Sequence, residues 1–107
     1  MCSVAKTILT KYDAFCIFCG KPCYSEHHLI FGVGMRKLAE EDGIKVPSCE
    51  QCHTSGKVTE RVHDNSMAEK LSKIAGQLAF EKRKVAEGMS EDEAREAFRR
   101  RYGRSYL

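Results

Sequence analysis

Hydrophobic and polar positions along the chain separate a front half of short, irregular apolar runs from a back half of helical periodicity. In the front half, "AFCIFCGKPC" sets aromatic and β-branched residues around a Cys-Gly-Lys-Pro turn, which predicts a short strand turning into a knuckle. The run "EHHLIF" predicts the next strand, "MRKLAEEDG" a short helix closed by Gly43, and "IKVPSCEQCH" an extended entry into a second helix. Pro47 cannot sit deep in a helix, so that helix begins only at about Pro47. From Ser66 to about Glu87, Met67, Leu71, Ile74, Leu78 and Val85 recur at steps of 3, 4 or 7 and predict a helix whose apolar stripe is core, with Gly76 as its weak point. Gly88 ends it. "SEDE" then reads as a capping box, Ser90 the N-cap and Glu93 at N3, opening a helix from about Glu91 to Tyr102 that Gly103 stops, with Ala94, Phe98 and Tyr102 on one face.

With 107 residues the chain suits one small domain, and with 42% hydrophobic residues and no Trp the core is modest enough to need a metal or a partner. Six cysteines then matter. "MCSVAKTILTKYD" has no apolar segment of signal-peptide length and no stretch approaches the ~20 apolar residues of a membrane span, so the expectation is a cytoplasmic protein with reduced thiols. The net charge is +3, but from Ala94 onward five arginines face only Glu96, whereas the first 93 residues hold 13 basic and 14 acidic side chains. A basic segment carrying Phe98, Tyr102 and Tyr106 suits a polyanion such as nucleic acid; the alternative is a solvated helix face with a charged tail.

Cys16 and Cys19 form one C-x-x-C and Cys49 and Cys52 another, with 29 residues between the pairs. A two-residue gap lets a tight knuckle present two thiolates to one ion, and two knuckles complete the tetrahedron of a structural Zn²⁺ site. Disulfides, a redox C-x-x-C and an iron–sulfur cluster are the other readings; the redox one lacks its βαβ setting. Cys2 and Cys23 are left as free thiols, the spacing of Cys23 from Cys19 being less apt for a knuckle.

All four histidines lie in or just beyond the stretch framed by the cysteines. His27 and His28 are adjacent, and consecutive side chains on a strand point to opposite faces, so the pair cannot share one pocket unless the strand ends or bends there. His53 directly follows Cys52 and would be fixed in direction by the zinc. A strand with His27 and His28 beside a helix with His53 is a rigid frame for a second metal site.

The pattern "CIFC … EHHLIFG … CEQCH" resembles the HNH endonucleases of the ββα-metal, or His-Me finger, group, in the small phage-associated form tied by two C-x-x-C knuckles. More distantly it is similar to the nuclease part of phage recombination-enhancement proteins. The resemblance runs from about Cys16 to Leu107 and is most specific from Cys16 to Asn65. It implies a small α+β fold, a zinc-stabilised ββα-metal (HNH) finger with a C-terminal helical segment: one domain over 1–107, with an HNH core over 1–65 and a helical extension with a basic tail over 66–107.

Carried over by motif, the resemblance makes His27 a ligand of the catalytic divalent ion, His28 the general base and His53 the second ligand. His63, in a Val-His-Asp setting, is a third ligand or a phosphate contact. An imidazole titrating near ~6.5 suits proton removal from water at physiological pH, while a divalent ion stabilises charge developing on the phosphate. The ion is Mg²⁺, Mn²⁺ or another divalent; histidine ligands favour softer ions such as Mn²⁺, Ni²⁺ or Zn²⁺. The family's middle Asn has no counterpart in "EEDGIKVP", leaving Asp42 or a backbone carbonyl to orient His28. Arg36, Lys37 and Lys57 near the motif, and Arg99, Arg100 and Arg101 in the tail, are candidate phosphate contacts. The implied activity is phosphodiester hydrolysis in DNA by a phage or prophage protein, with a phage recombination or packaging protein as a further partner. The alternative is a non-catalytic zinc-stabilised module binding nucleic acid or protein, accessory to phage recombination or packaging.

Overall fold

The computed structural model describes residues 6–59 and 61–107; Cys2, expected to be a free thiol, lies outside them. The first knuckle closes as Gly20 takes a left-handed turn (φ 79°) and its N–H bonds the Cys16 carbonyl, with a single antiparallel bridge, Phe15 to Pro22, where a short strand was expected. Strand β1 is only Glu26–His28. Its antiparallel partner β2, Lys45–Pro47, is paired Glu26 to Pro47, His27 to Val46 and His28 to Lys45.

Leu29 adds one further backbone bond, to the Ile44 carbonyl, and the chain then bends away, so the strand predicted over "EHHLIF" is cut to half its length. Leu29 and Ile30 still turn into the core. Between the strands lies α1, Met35–Asp42, stopped by Gly43 in the left-handed conformation. Pro47 ends β2 rather than opening a helix, its carbonyl accepting from Ile17 N–H of the first knuckle. The second knuckle leads into one π-helical turn, Gln51–Ser55.

Helix α2 spans Ser66–Ala86 and opens on Asn65, whose side chain accepts from the Ala68 N–H. Helix α3 spans Glu91–Tyr102, with the reciprocal Ser90/Glu93 capping box and a Gly103 stop as read from the sequence. Ala94, Phe98 and Tyr102 are its buried face. The stripe assigned to α2 is corrected: Leu71 is 65% and Met67 69% exposed, and Leu78 and Val85 face solvent too. The helix buries Ser72, Gly76, Gln77 and Phe80 instead. At Gly76, α2 packs tightly against residues flanking the strands, since a Cβ there would stand 2.8 Å from Ile30 Cδ1 and 3.0 Å from Ile44 Cγ2. A small residue, read as a weakness, permits the contact.

One hydrophobic cluster joins both halves of the chain: Leu29, Ile30, Ala39, Ile44 and Val46 with Phe80, Phe98 and Tyr102. Phe98 and Tyr102 stack at 4.6 Å, and the Tyr102 hydroxyl donates to Asp42 Oδ2 at 2.6 Å, tying α3 to the end of α1. No helix among the described residues is long and apolar enough to cross a membrane.

Candidate metal centres and the histidine pocket

The two knuckles bring Cys16, Cys19, Cys49 and Cys52 together with their sulfurs within 4.8 Å of one another, Cys19 and Cys49 at 3.6 Å. A tetrahedral zinc with ~2.3 Å bonds needs sulfurs roughly 3.8 Å apart, so four cysteines close together could hold a zinc ion. Burial opposes ionisation of Cys16, but the Cys49, Cys19 and Phe18 backbone outweighs it and lowers the thiol to about 6. Cys52 is pushed up by burial and then by the Cys49, Cys19 and Cys16 sulfurs. Four such thiols share negative charge poorly on their own and well around a divalent cation. Cys23 stays outside the group, its sulfur 3.9 Å from the Ser25 carbonyl.

His27 is fully buried, whereas its neighbour His28 is only partly so, because the strand sends them to opposite faces. His53 follows the second knuckle on the π-helical turn. His63 reaches the same place by a short bend and turn: Val62 N–H bonds the Cys52 carbonyl and His63 N–H the His53 carbonyl. The result is a triad in which one nitrogen from each of His27, His53 and His63 lies within 4.8 Å of the others, the two Nε2 atoms of His53 and His63 at 2.9 Å.

The hydrogen bonds fix which nitrogens are available. Ser72 Oγ donates its one proton to the Leu29 carbonyl (2.8 Å), so toward His27 Nε2, 2.7 Å away, it accepts. His27 therefore carries its proton on Nε2, and Nδ1 is a buried lone pair with no hydrogen-bond partner among the described residues. Burial, then His53, His63 and His28, lowers the His27 pKa to about 3, so the ring stays neutral as a metal ligand must. Burial, then His63 and Arg36, lowers His53 as well. The Glu69 carboxylate stands 3.6 Å from His63 Nδ1, leaving Nε2 on the triad side.

His28 is not in the triad. Its Nε2 donates to Glu40 Oε1 at 2.8 Å, so the basic nitrogen is Nδ1, on a ring that lines one open pocket with Phe31, Gly32, Val33, Arg36, His53 and His63. The other oxygen of Glu40 accepts from Lys45 Nζ at 2.7 Å, and Lys45, 1% exposed, also donates to Glu26 at 3.0 Å. Burial disfavours the Lys45 charge, but its bonds to Glu40 and Glu26 outweigh that and raise its pKa. In Glu40 likewise, burial is outweighed by Lys45 and then His28, and the carboxyl is held below its ordinary range.

Asp42 does not orient His28: it accepts from Tyr102 and from Arg101 Nε, the latter at 2.6 Å. Two residues along a helix is about 200° of rotation, so Glu40 and Asp42 face opposite ways. Arg101 is accordingly spent on Asp42 and Glu41, and Arg99 and Arg100 pair with Glu96 on their own helix. Of the phosphate contacts expected, Arg36 lines the histidine pocket, while Lys37 and Lys57 are exposed and line none of it. Glu40, Lys45, Ser72 and Glu69 were not singled out by the sequence. Comparison of the chain with family models, curated proteins and solved structures yields no match.

Proposed function

We propose that the chain is a metal-dependent endonuclease of HNH type that hydrolyses DNA phosphodiester bonds. The observation that carries this reading is the buried, unpartnered Nδ1 of His27 in a three-histidine cluster, beside a separately oriented fourth histidine on the same pocket. A site built only to stabilise the fold has no need of His28 held by a carboxylate next to an open pocket. His27, His53 and His63 would hold a divalent ion, and three neutral imidazoles suit Mn²⁺, Ni²⁺, Co²⁺ or Zn²⁺ better than Mg²⁺. Such an ion supplies Lewis-acid stabilisation of charge on the phosphate and the leaving oxygen. The four cysteines would hold a structural Zn²⁺.

His28 Nδ1 takes a proton from water as the water oxygen forms its bond to phosphorus and the bond to the 3′-oxygen breaks. Glu40, bonded to Nε2–H, keeps the ring in the tautomer that accepts at Nδ1 and stabilises the imidazolium formed, and Lys45 holds Glu40 in place. Arg36 at the pocket offers a cation to the phosphate. A phage origin, with a recombination or packaging partner, follows from the resemblance alone. Plasmid nicking with Mn²⁺, Ni²⁺, Zn²⁺ or Mg²⁺ tests the reading: wild type nicks and His28→Ala loses at least a hundredfold. No cutting with any ion, or equal cutting by the variant, overturns it.

The second reading, a binding module without cleavage, is favoured by a groove of almost wholly apolar lining in which Ile17 and Phe18 of the first knuckle stand exposed opposite Leu71 of α2. A protein that binds a partner there and never cuts would satisfy it.

A further inference from the structure

Among the basic side chains of the C-terminal half, several are paired with carboxylates, while Lys57, Lys82 and Arg83 form no ion pair with a described residue and line neither the histidine pocket nor the cleft at the end of the chain. Lys84, Arg95, Arg99, Arg100 and Arg101 each pair with a carboxylate. Lys70, Lys73 and Arg104 form no ion pair with any described residue, and they converge on one cleft, lined also by Ile74, Ser105, Tyr106 and Leu107. The convergence is built. Gln77, fully buried, accepts from Tyr106 N–H at 2.6 Å through Oε1 and donates to Ser105 Oγ at 3.0 Å through Nε2, clamping the segment after α3 onto α2. That clamp sets Arg104 over the Tyr106 ring at 5.0 Å and brings Lys73 to the same ring at 5.6 Å.

The cleft adjoins the histidine pocket through the contact of Lys73 with Phe31. Lys73 Nζ also lies 4.7 Å over the Phe31 ring, and Phe31 meets His63 edge to face at 4.7 Å. His63, Phe31, Lys73, Tyr106 and Arg104 thus form a line in steps of 4.7 to 5.6 Å. At about 3.4 Å of rise per nucleotide along one strand, that line is at most about six nucleotides long. Cations without carboxylate partners, an aromatic ring between them and an origin at the catalytic pocket match the needs of a polynucleotide backbone.

We propose that Lys70, Lys73 and Arg104, with Tyr106, are a track for the phosphodiester backbone of the DNA strand leaving the histidine pocket. The inference rests on the nuclease reading for the identity of the pocket. The paired arginines of α3, which composition alone favoured, contribute little.

The test is fluorescence anisotropy with a labelled 20-nucleotide DNA, single-stranded and duplex, in a His28→Ala host so that the probe is not cut. The variants are Lys70→Gln/Lys73→Gln/Arg104→Gln, Lys70→Gln/Arg104→Gln, which leaves the Lys73 packing intact, and Arg99→Gln/Arg100→Gln as control. The triple variant should bind at least tenfold more weakly at 0.1 M salt and flatten the slope of log affinity against log salt by about 2 to 3, at roughly 0.7 per lost contact on single strand and 0.9 on duplex. The double variant should show about two-thirds of that slope change, and the control should stay within twofold of the host. Binding by the triple variant within twofold of the host, an equal loss in the control, or no binding by the host overturns the track. The slope change without cleavage by wild type leaves the track and removes the nuclease; cleavage by wild type with an unchanged slope does the reverse.

Discussion

Ser72 Oγ lies 2.7 Å from Nε2 of His27, so α2 forms a wall of the candidate metal centre. The bond also decides which nitrogen of His27 is free. Ser72→Ala removes the acceptor and lets the ring change tautomer or rotate. Metal affinity at the histidine centre should fall by about tenfold to a hundredfold, measured by competition with a chromophoric chelator, while zinc on the cysteines is unchanged. Ser72→Thr, which keeps the hydroxyl, should recover most of the loss if its methyl is accommodated.

Glu40 couples the histidine pocket to the buried Lys45, and its depressed pKa has a sign. A carboxyl whose folded pKa lies below its unfolded value stabilises the fold above the unfolded pKa, near 4.5, and that contribution is lost as pH falls through the folded value. Glu40→Gln should therefore be less stable than wild type by about 1–3 kcal/mol at pH 7, and the gap should narrow below pH ~4.5. Urea unfolding of both proteins from pH 7 to pH 3 measures it. On the nuclease proposal the same variant should lose about tenfold or more in kcat in nicking assays with KM little changed, because Glu40 would act through His28 and not through DNA.

The cysteine cage predicts about one zinc per chain. Titration with a mercurial should release it at about four thiols per ion, and Cys19→Ala/Cys49→Ala should lose this mercurial-released zinc and melt well below wild type, since metal binding at such sites is folding energy. Circular dichroism and metal analysis on the same samples are sufficient.

Gly76→Ala sets two effects against each other. Alanine gains about 1 kcal/mol of helix propensity, but its methyl enters a fully packed contact with Ile30 and Ile44, at a cost of about 1–3 kcal/mol. Packing should win, lowering stability by about 1 kcal/mol in chemical denaturation.

Local chemistry was the legible part of the chain. Gly43, Ser90, Glu93 and Gly103 announce their caps because a cap depends on three or four neighbouring residues. The C-x-x-C pairs and the histidines fix ligand chemistry in the same local way. Helix phase was not legible: α2 offers the stripe through Met67, Leu71, Ile74 and Leu78 and, one residue on, the one through Ser72, Gly76 and Phe80. The second is buried because Ser72 and Gly76 are small enough to let the helix pack on Leu29, Ile30 and Ile44, a fit to the partner surface that periodicity does not encode. The same holds for Glu40 and Asp42, two carboxylates in one acidic run that the helix turns to opposite duties.

The Tyr102 hydroxyl on Asp42 and the stack of Tyr102 with Phe98 carry a consequence for how the chain is made. The apolar face of the strand pair is capped by Phe80, Phe98 and Tyr102, all from beyond the last histidine. During synthesis both knuckles and all four histidines therefore leave the ribosome before their lid exists, with Ile30 and Ile44 uncovered until α2 and α3 follow. A nascent chain stalled after His63 would hold all four histidines without the Ser72 and Glu69 that orient two of them, and its apolar face would stay uncovered.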